Sequence, residues 1–225
     1  MTIKDLIAHD IRPLHADDSV EQALGHLLEH NVYHMPVVNA DDRLVGCVSE
    51  DQLLNAYGPD APVGSLPEVA SDSKPVHVFP DTHVFDVTKR LVEHQLSSIA
   101  VVEGDGEYIG LVRRQDIFEQ FARMLSTQEA GAIIALELDQ RDYSLSQLVY
   151  TIESNGVKIL SIASEPPDTE TSMIRVTLKL NTTDTARVRH MMEHYGYHVV
   201  ASFSEDETDE DLQWRVEEFM RYLEV

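Results

Sequence analysis

Residues 34–54 read HMPVVNADDRLVGCVSEDQLL, and residues 98–118 read SIAVVEGDGEYIGLVRRQDIF. The second stretch lies 64 positions after the first and matches it without a gap. Because similarity at one fixed spacing marks a repeated structural unit, the sequence predicts two copies of one fold. The identical pairs at this offset include Asp17 with Asp81, Val20 with Val84, Leu27 with Leu91, Val37 with Val101, Gly46 with Gly110 and Val48 with Val112.

Each copy shows the same order of predicted elements. In the first copy an extended segment at 11–15 precedes Asp17-Asp18-Ser19, a helix N-cap signal. A helix, a buried strand, a turn and a second strand follow, and a closing helix begins near Ser49. The second copy repeats this order from 75–79 to a closing helix near Arg113, so the predicted unit is β-α-β-β-α. The first helix of each copy is predicted to bury one apolar face, formed by Val20, Ala23, Leu24, Leu27 and Leu28 or by Val84, Val87, Leu91 and Val92.

The pattern changes after a polar break at 126–131, which predicts a domain boundary. Apolar periodicity then predicts a strand at 132–138, a helix at 144–155, strands at 157–163 and 173–180, a helix at 185–195 and a strand at 197–203. The order βαββαβ is the ferredoxin-like arrangement. We therefore expect an α/β (α+β) protein with repeats at about 1–58 and 59–125, a second domain at 131–205, and an acidic segment with an amphipathic helix at 206–225.

The charge of the chain limits its partners. It has 40 Asp and Glu residues against 17 Lys and Arg residues, a net charge of −23. Nucleic acid and anionic lipid bind to basic surfaces, so neither is expected as a partner. No apolar run approaches the length of a membrane span, and the first residues lack a signal segment, so we expect a cytoplasmic location and no membrane contact. The acidity fits either an acidic soluble protein or adaptation to high salt.

The two copies resemble the CBS domain, a module that occurs in pairs. The resemblance is carried in the first copy by IKDLIAHDIRPLHADDSVEQAL at 3–24, HMPVV at 34–38 and GCVSEDQLL at 46–54. FPDTHVFDV at 79–87, SSIAVV at 97–102 and GLVRRQDIF at 110–118 carry it in the second copy. It implies a CBS pair over residues 1–125 with a cleft between the repeats for an adenosine-containing ligand. The expected ligand is AMP, ADP, ATP or S-adenosylmethionine, with no cofactor required.

The resemblance also implies the binding residues. The family pattern is Gly-x-hydrophobic-Ser/Thr-x-x-Asp, in which the hydroxyl holds a phosphate at a helix start and the Asp accepts hydrogen bonds from the ribose. The first copy keeps the hydroxyl as Ser49 but has Gln52 in place of the Asp, so it can offer only neutral ribose contacts. The second copy keeps Asp116 and has Arg113 in place of the hydroxyl, where it could grip a phosphate. The further candidate contacts are Gly110, Arg114, Met35, Pro36, Val78, Ile99 and Ala100.

Structural interpretations of the same residues stay open. Gly46 and Gly110 could serve only close helix–strand packing. Asp116 could serve only the first turn of its helix, where the helix dipole favours a carboxylate.

The second domain resembles the ACT domain, through QRDYSLSQLVYTIESNGVKILSI at 140–162. That family often binds amino acids or forms dimers, and its turn before the first helix usually reads Asp-Arg-Pro-Gly. Here Tyr143 stands where the glycine admits the ligand, so dimerisation or docking is the favoured role over amino-acid binding. The candidate ligand loop is Arg141, Asp142, Tyr143 and Ser144.

The combination of a CBS pair and an ACT-like domain resembles the AcuB family, named for acetoin utilisation. This implies a homodimeric cytoplasmic regulator of acetoin or acetate metabolism, acting on an unidentified protein partner. Two hypotheses follow: a sensor of an adenosine-type ligand, or a ligand-free dimeric scaffold.

A hydrolase is a third, remote hypothesis. The sequence H-x-x-E-H occurs at 26–30 and at 190–194, but it comes without a third metal ligand. The single cysteine, Cys47, lies in a predicted buried strand, where a thiol is inert. We therefore predict no catalytic residues, no metal site and no enzymatic activity.

Overall fold

A computed structural model describes residues 1–70, 75–167 and 171–204 of the 225-residue chain. The chain divides into two compact units, Met1–Gln120 and Phe121–Val225. The predicted acidic segment and helix at 206–225 lie outside the described residues. The division between the units falls inside one helix, so the predicted domain bounds stay a prediction.

Both copies in the first unit have the predicted β-α-β-β-α order. Each forms a three-stranded sheet in which the first strand is parallel to the second and the third is antiparallel to it. Only two residues of each extended segment pair as a strand. The first copy comprises β1 (Leu14–His15), α1 (Val20–His30), β2 (His34–Val38), β3 (Leu44–Ser49) and α2 (Glu50–Leu54). A short helix, α3 (Pro67–Ala70), precedes β4 (His77–Val78), α4 (Val84–Glu93), β5 (Ser98–Glu103), β6 (Glu107–Arg113) and α5 (Arg114–Met124).

The first helix of each copy begins where the sequence predicts. Ser19 Oγ accepts a hydrogen bond from Gln22 N at 3.2 Å, and Gln22 Oε1 accepts one from Ser19 N at 2.9 Å, so a capping box starts α1. The predicted apolar faces are wrong at one edge, because Leu28 and Val92 are exposed. The buried stripe follows the spacing of Val20, Ala23 and Leu27, and Leu28 points about 100° away from Leu27.

The segments that precede the two copies are exchanged between them. Ile3 N donates to Thr82 O at 3.1 Å, and Ala8 N donates to Leu111 O at 2.9 Å, so the lead-in of the first copy pairs with the second copy. Between the copies, Val63 N donates to Asp18 O at 2.8 Å. The segment that precedes the second copy therefore pairs with the first, and the two copies are linked reciprocally.

Two glycines at equivalent positions make room for these segments. A Cβ on Gly110 would lie 2.6 Å from Ile7 Cγ2 and 2.8 Å from Ala8 O, and its φ of +154° disfavours other residues. A Cβ on Gly46 would lie 3.0 Å from Val69 Cγ2. Both glycines therefore permit close packing, against the exchanged segments.

The second unit has the predicted ferredoxin-like order. Its four strands form an antiparallel sheet in the order β10-β7-β9-β8. Its elements are β7 (Ala132–Asp139), α6 (Leu145–Ser154), β8 (Ile159–Ser164), β9 (Met173–Leu180), α7 (Thr185–His194) and β10 (His198–Phe203). The core of this unit includes Ile134, Leu136, Leu148, Ile152, Val176, Leu178, Val188 and Met192.

The sequence predicts that no segment is long and apolar enough to span a membrane. Within residues 1–70, 75–167 and 171–204, no helix combines the length and apolar character needed to cross a bilayer.

The two glycines give a matched pair of stability tests. We expect Gly110→Ala to lower the free energy of unfolding by roughly 2–4 kcal/mol, because the new methyl group clashes with backbone and requires an unfavourable φ. Gly46→Ala should cost about 1 kcal/mol or less, because its nearest contacts, Val69 Cγ2 at 3.0 Å and Val69 Cα at 3.2 Å, are looser than those at Gly110. Urea unfolding measures both. Equal losses of stability in the two variants would contradict the close packing of the lead-in segment against Gly110.

Candidate functional site

The candidate site with a retained acidic residue lies where β6 ends and α5 begins. Asp116 Oδ2 accepts a hydrogen bond from Arg113 N at 3.2 Å and another from Arg113 Nε at 3.0 Å. Arg113 Nη2 donates to Asp116 Oδ1 at 2.8 Å, so the carboxylate and the guanidinium form a bidentate pair. The two residues that the sequence assigns to ribose and phosphate are thus brought together, and in this structure they bind each other.

Three carboxylates act on the charge of Arg113. Its pKa is raised by the hydrogen bond to Asp116, burial opposes this rise, and the charges of Asp10 and Glu119 add to it. Asp10 was missed by sequence reasoning, because the repeat comparison gave no reason to place the first lead-in on the second copy. One guanidinium here shares its surroundings with three carboxylates.

Arg114, which the sequence suggests as a further phosphate contact, binds backbone carbonyls in this structure. Its Nη2 donates to Leu96 O, and to Leu91 O at 3.3 Å. These carbonyls lie at and beyond the C-terminal end of α4, where a cation is favourable. The structure therefore places the Arg114 guanidinium on the end of a helix.

The equivalent position in the first copy is a second helix cap. Ser49 Oγ accepts from Gln52 N at 3.2 Å, and Gln52 Oε1 accepts from Ser49 N at 2.7 Å. Gln52 contacts the backbone of the N-cap residue as Asp116 does in the second copy, but it carries no charge. Only the second copy has a carboxylate at this position.

The candidate residues on the strands are buried in the sheets. Met35 lies in the core of the first copy, and Ile99 and Ala100 pair with Val112 and Leu111 on β6. At these positions the strands can offer backbone atoms and an apolar wall to a ligand beside the β6–α5 junction. The buried set also includes Pro36 and Val78.

A polar contact joins the starts of β2 and β5, and the sequence gave no signal for it. Ser97 N donates to His34 Nδ1 at 3.2 Å, and Ser98 Oγ donates to His34 O at 2.7 Å. Burial and the charge of Arg114 lower the pKa of His34, and Asp51 opposes them. Because Nδ1 accepts the hydrogen bond from Ser97 N, the ring must be neutral for this contact to form.

The candidate loop of the second unit is closed by its own hydrogen bonds. Asp139 Oδ1 accepts from Arg141 N at 2.8 Å, and Asp139 O accepts from Tyr143 N at 3.1 Å. Asp142 N also donates to Asp139 O, and Ser144 caps α6. The ring of Tyr143 packs against the core of this unit, at the position where the ACT pattern has glycine.

The two H-x-x-E-H motifs lie on different helices, α1 and α7. The rings of His26 and His30 lie 6.3 Å apart on α1, and Glu193 pairs with Arg189 at 3.0 Å. Among the residues that the structure describes, no three His, Cys, Asp or Glu side chains are grouped to hold a metal ion. Burial raises the pKa of the Cys47 thiol to about 12, which keeps it protonated at neutral pH.

Two β-α-β-β-α copies with exchanged lead-in segments define a tandem CBS pair, followed here by a ferredoxin-like unit. The chain belongs to the CBS domain family: the family profile matches residues 3–58 and 65–123.

Several known proteins are similar to this chain. The uncharacterized protein MJ1004 of Methanocaldococcus jannaschii is 27% identical over 124 residues, covering 55% of this chain and 58% of that protein. A homoserine O-acetyltransferase of Methanohalobium evestigatum is 24% identical over 115 residues, covering 51% of this chain and 23% of the enzyme. The solved structure of a putative acetoin utilization protein (AcuB) from Vibrio cholerae has 18% identity and a TM-score of 0.47, covering 57% of this chain and 95% of that one. The chain thus spans less than two thirds of the length of either sequence relative.

The contact between His34 and Ser97 predicts a pH dependence of stability. A histidine pKa below 6.5 in the folded chain means that the unfolded chain binds the proton more readily. The contribution of the His34–Ser97 contact to the free energy of unfolding should be complete above pH 6.5. It should be lost as the pH falls from 6.5 towards the folded-state pKa of His34. Urea unfolding between pH 7.5 and 5.5 measures it.

His34→Asn is the matched control, because its side-chain oxygen can accept the hydrogen bond from Ser97 without titrating. We expect the variant to lose less stability than the wild type over this range. An identical pH dependence in the two proteins would refute a neutral His34 at this junction.

Proposed function

We propose that this chain is a non-catalytic regulatory protein whose CBS pair binds an adenosine-containing ligand at the β6–α5 junction. The observation that carries the proposal is the Asp116 carboxylate, paired with Arg113 at the start of a helix in a CBS domain. A carboxylate can accept both ribose hydroxyls, and a guanidinium can hold a phosphate. The first copy offers Ser49 and Gln52 instead and is the weaker half-site.

The charges at the site favour a ligand of low negative charge. Asp116 pairs with Arg113, and the charges of Asp10 and Glu119 also act on Arg113, so each added phosphate would meet the repulsion of three carboxylates. Among AMP, ADP, ATP and S-adenosylmethionine, we therefore rank AMP and S-adenosylmethionine above ADP and ATP.

Ligand binding would rearrange the Arg113–Asp116 pair. Ribose hydroxyls would replace the guanidinium on Asp116 and release Arg113 towards the rest of the ligand. A partly exposed ion pair contributes about 1 kcal/mol or less, so its loss is a small cost. The lead-in with Ala8 and Asp10 pairs with the second copy. Replacement of the guanidinium by ribose hydroxyls would therefore change the strength of the contact between the two copies. A ligand acts in this way only through different affinities for the two states.

The wider role follows from the resemblance to the AcuB family. We propose a cytoplasmic homodimer that passes the state of the CBS pair, through the ferredoxin-like unit or the dimer, to a protein partner in acetoin or acetate metabolism. A ligand-free dimeric scaffold is the second candidate. It is favoured by one observation, that Ser49–Gln52 and Arg113–Asp116 already satisfy each other as helix caps.

Calorimetric titration of Asp116→Ala and Gln52→Ala tests the site with a matched pair. We expect the wild type to bind AMP or S-adenosylmethionine more tightly than ATP. Asp116→Ala should weaken binding by about 100-fold, the loss of two hydrogen bonds to a charged group. Gln52→Ala, at the equivalent position of the first copy, should change it by less than about 3-fold.

Two results would contradict the proposal. Tighter binding of ATP than of AMP would show that the three carboxylates do not govern the site. Absence of binding of all four ligands to the wild type would leave the scaffold as the function.

A further inference from the structure

Two short segments meet where β2 and β5 begin, and they occupy equivalent places in the two copies. Ser97 lies 64 positions after Tyr33, and its Oγ accepts a hydrogen bond from Tyr33 N at 2.9 Å. Ser98 lies 64 positions after His34, and its Oγ donates to His34 O at 2.7 Å. Ser97 N donates to His34 Nδ1 at 3.2 Å, so the imidazole ring takes part in the contact between the two copies.

The same segments hold the first residues of the two closing helices. Glu50 N donates to Tyr33 O at 2.9 Å, and Arg114 N donates to Ser97 O at 2.8 Å. Glu50 begins α2, and Arg114 begins α5 directly after Arg113 of the candidate site. A displacement of Ser97 is therefore passed through one backbone hydrogen bond to the helix start that carries the candidate site.

The contact between His34 and Ser97 has two arrangements, which depend on the charge of the ring. In the neutral ring, Nδ1 accepts the hydrogen bond from Ser97 N. A protonated ring donates from both of its nitrogens, so Nδ1 can no longer accept that bond. Ser97 Oγ lies 3.2 Å from the same nitrogen and can accept from it instead. Protonation would therefore leave the amide of Ser97 without this acceptor.

The surroundings of the ring favour its neutral form. His34 is half-buried, and burial is the largest cause that lowers its pKa below the usual 6.5. The charge of Arg114 on α5 lowers this pKa further, and the charge of Asp51 on α2 acts in the opposite direction. The Arg114 guanidinium is fixed by the carbonyl groups of Leu91 and Leu96, which keeps its position defined. His34 is therefore neutral at neutral pH and takes up a proton only as the solution becomes acidic.

We propose that His34 is a positioning residue for the ligand site at the β6–α5 junction, and that its protonation weakens ligand binding there. The neutral ring holds Ser97 N, and Ser97 O holds the first amide of α5. Because coupling between two binding equilibria is reciprocal, a ligand that prefers the neutral state also opposes protonation of His34. Affinity should therefore be highest above the pKa of His34 and should fall as the pH falls through it. This inference rests on the function proposed above.

Calorimetric titration of AMP at pH 7.5 and at pH 5.0 tests the role of His34 with two variants. His34→Asn keeps an oxygen that can accept from Ser97 N and does not titrate, whereas His34→Ala has no acceptor. We expect the affinity of the wild type to fall by roughly 5-fold more than that of His34→Asn, at the low end of coupling between sites. A phosphate monoester also titrates at about pH 6, but this change in AMP is common to all the proteins.

His34→Ala separates the loss of the contact from its titration. At pH 7.5 this variant should bind AMP roughly 5-fold more weakly than the wild type, whereas His34→Asn should stay within about 2-fold of it. Ser98→Ala is the matched control, because it removes a contact to the same residue that does not titrate. The ratio of its affinities at the two pH values should equal that of the wild type.

Two results of the titration would overturn the role of His34. The first is an identical pH dependence of AMP binding in the wild type and in His34→Asn. The second is a wild-type affinity that rises relative to the variant at pH 5.0, because His34 would then act as a cation on the phosphate and not through Ser97.

Amide exchange of the ligand-free protein separates the role of His34 from the function on which it rests. Opening of the Arg114 amide should become more frequent between pH 7.5 and pH 5.0 in the wild type than in His34→Asn, after correction for the intrinsic exchange rate. This result without any binding of AMP would overturn the proposed ligand site and not the coupling of His34 to α5. Binding of AMP without this change in exchange would overturn the coupling.

Discussion

The close approach of Ala8 to Leu111 is the contact on which the CBS pair depends. It forms because Gly110 has no side chain where Ile7 and Ala8 lie against β6. Gly46 makes the equivalent space for Val69 in the first copy. Through these two approaches each copy carries the segment that precedes the other, so neither copy can separate without losing backbone hydrogen bonds.

The exchange of the lead-in segments also changes the charge near the candidate site. The lead-in brings Asp10 to the second copy, where its charge acts on Arg113 together with those of Asp116 and Glu119. Asp116 and Glu119 belong to the local β6–α5 sequence, and Asp10 is the one carboxylate of the three that the lead-in adds. In the proposed site this additional acidic residue disfavours polyphosphates, so the proposed ligand preference depends on packing between the copies.

The repeat, the hairpins and most helix starts could be predicted from sequence, because they rest on local signals. Ser19, Ser49 and Ser144 cap helices as their neighbouring residues suggest. The exchange of the lead-ins, the role of Arg114 on the end of α4 and the contact between His34 and Ser97 are long-range, and no local pattern encodes them. Periodicity predicts Leu28 and Val92 on the buried faces, because it locates an apolar stripe but not the width of that stripe.

Hydrogen exchange with and without AMP tests the proposed ligand site at the β6–α5 junction, since a ligand suppresses local opening where it binds. We expect slower exchange of the amides of Ala8, Leu111 and Arg113, and unchanged exchange at Ser49 and Gln52. Slower exchange at the first copy, or no change at the second, would contradict a single ligand site that is held in place by the exchanged lead-in.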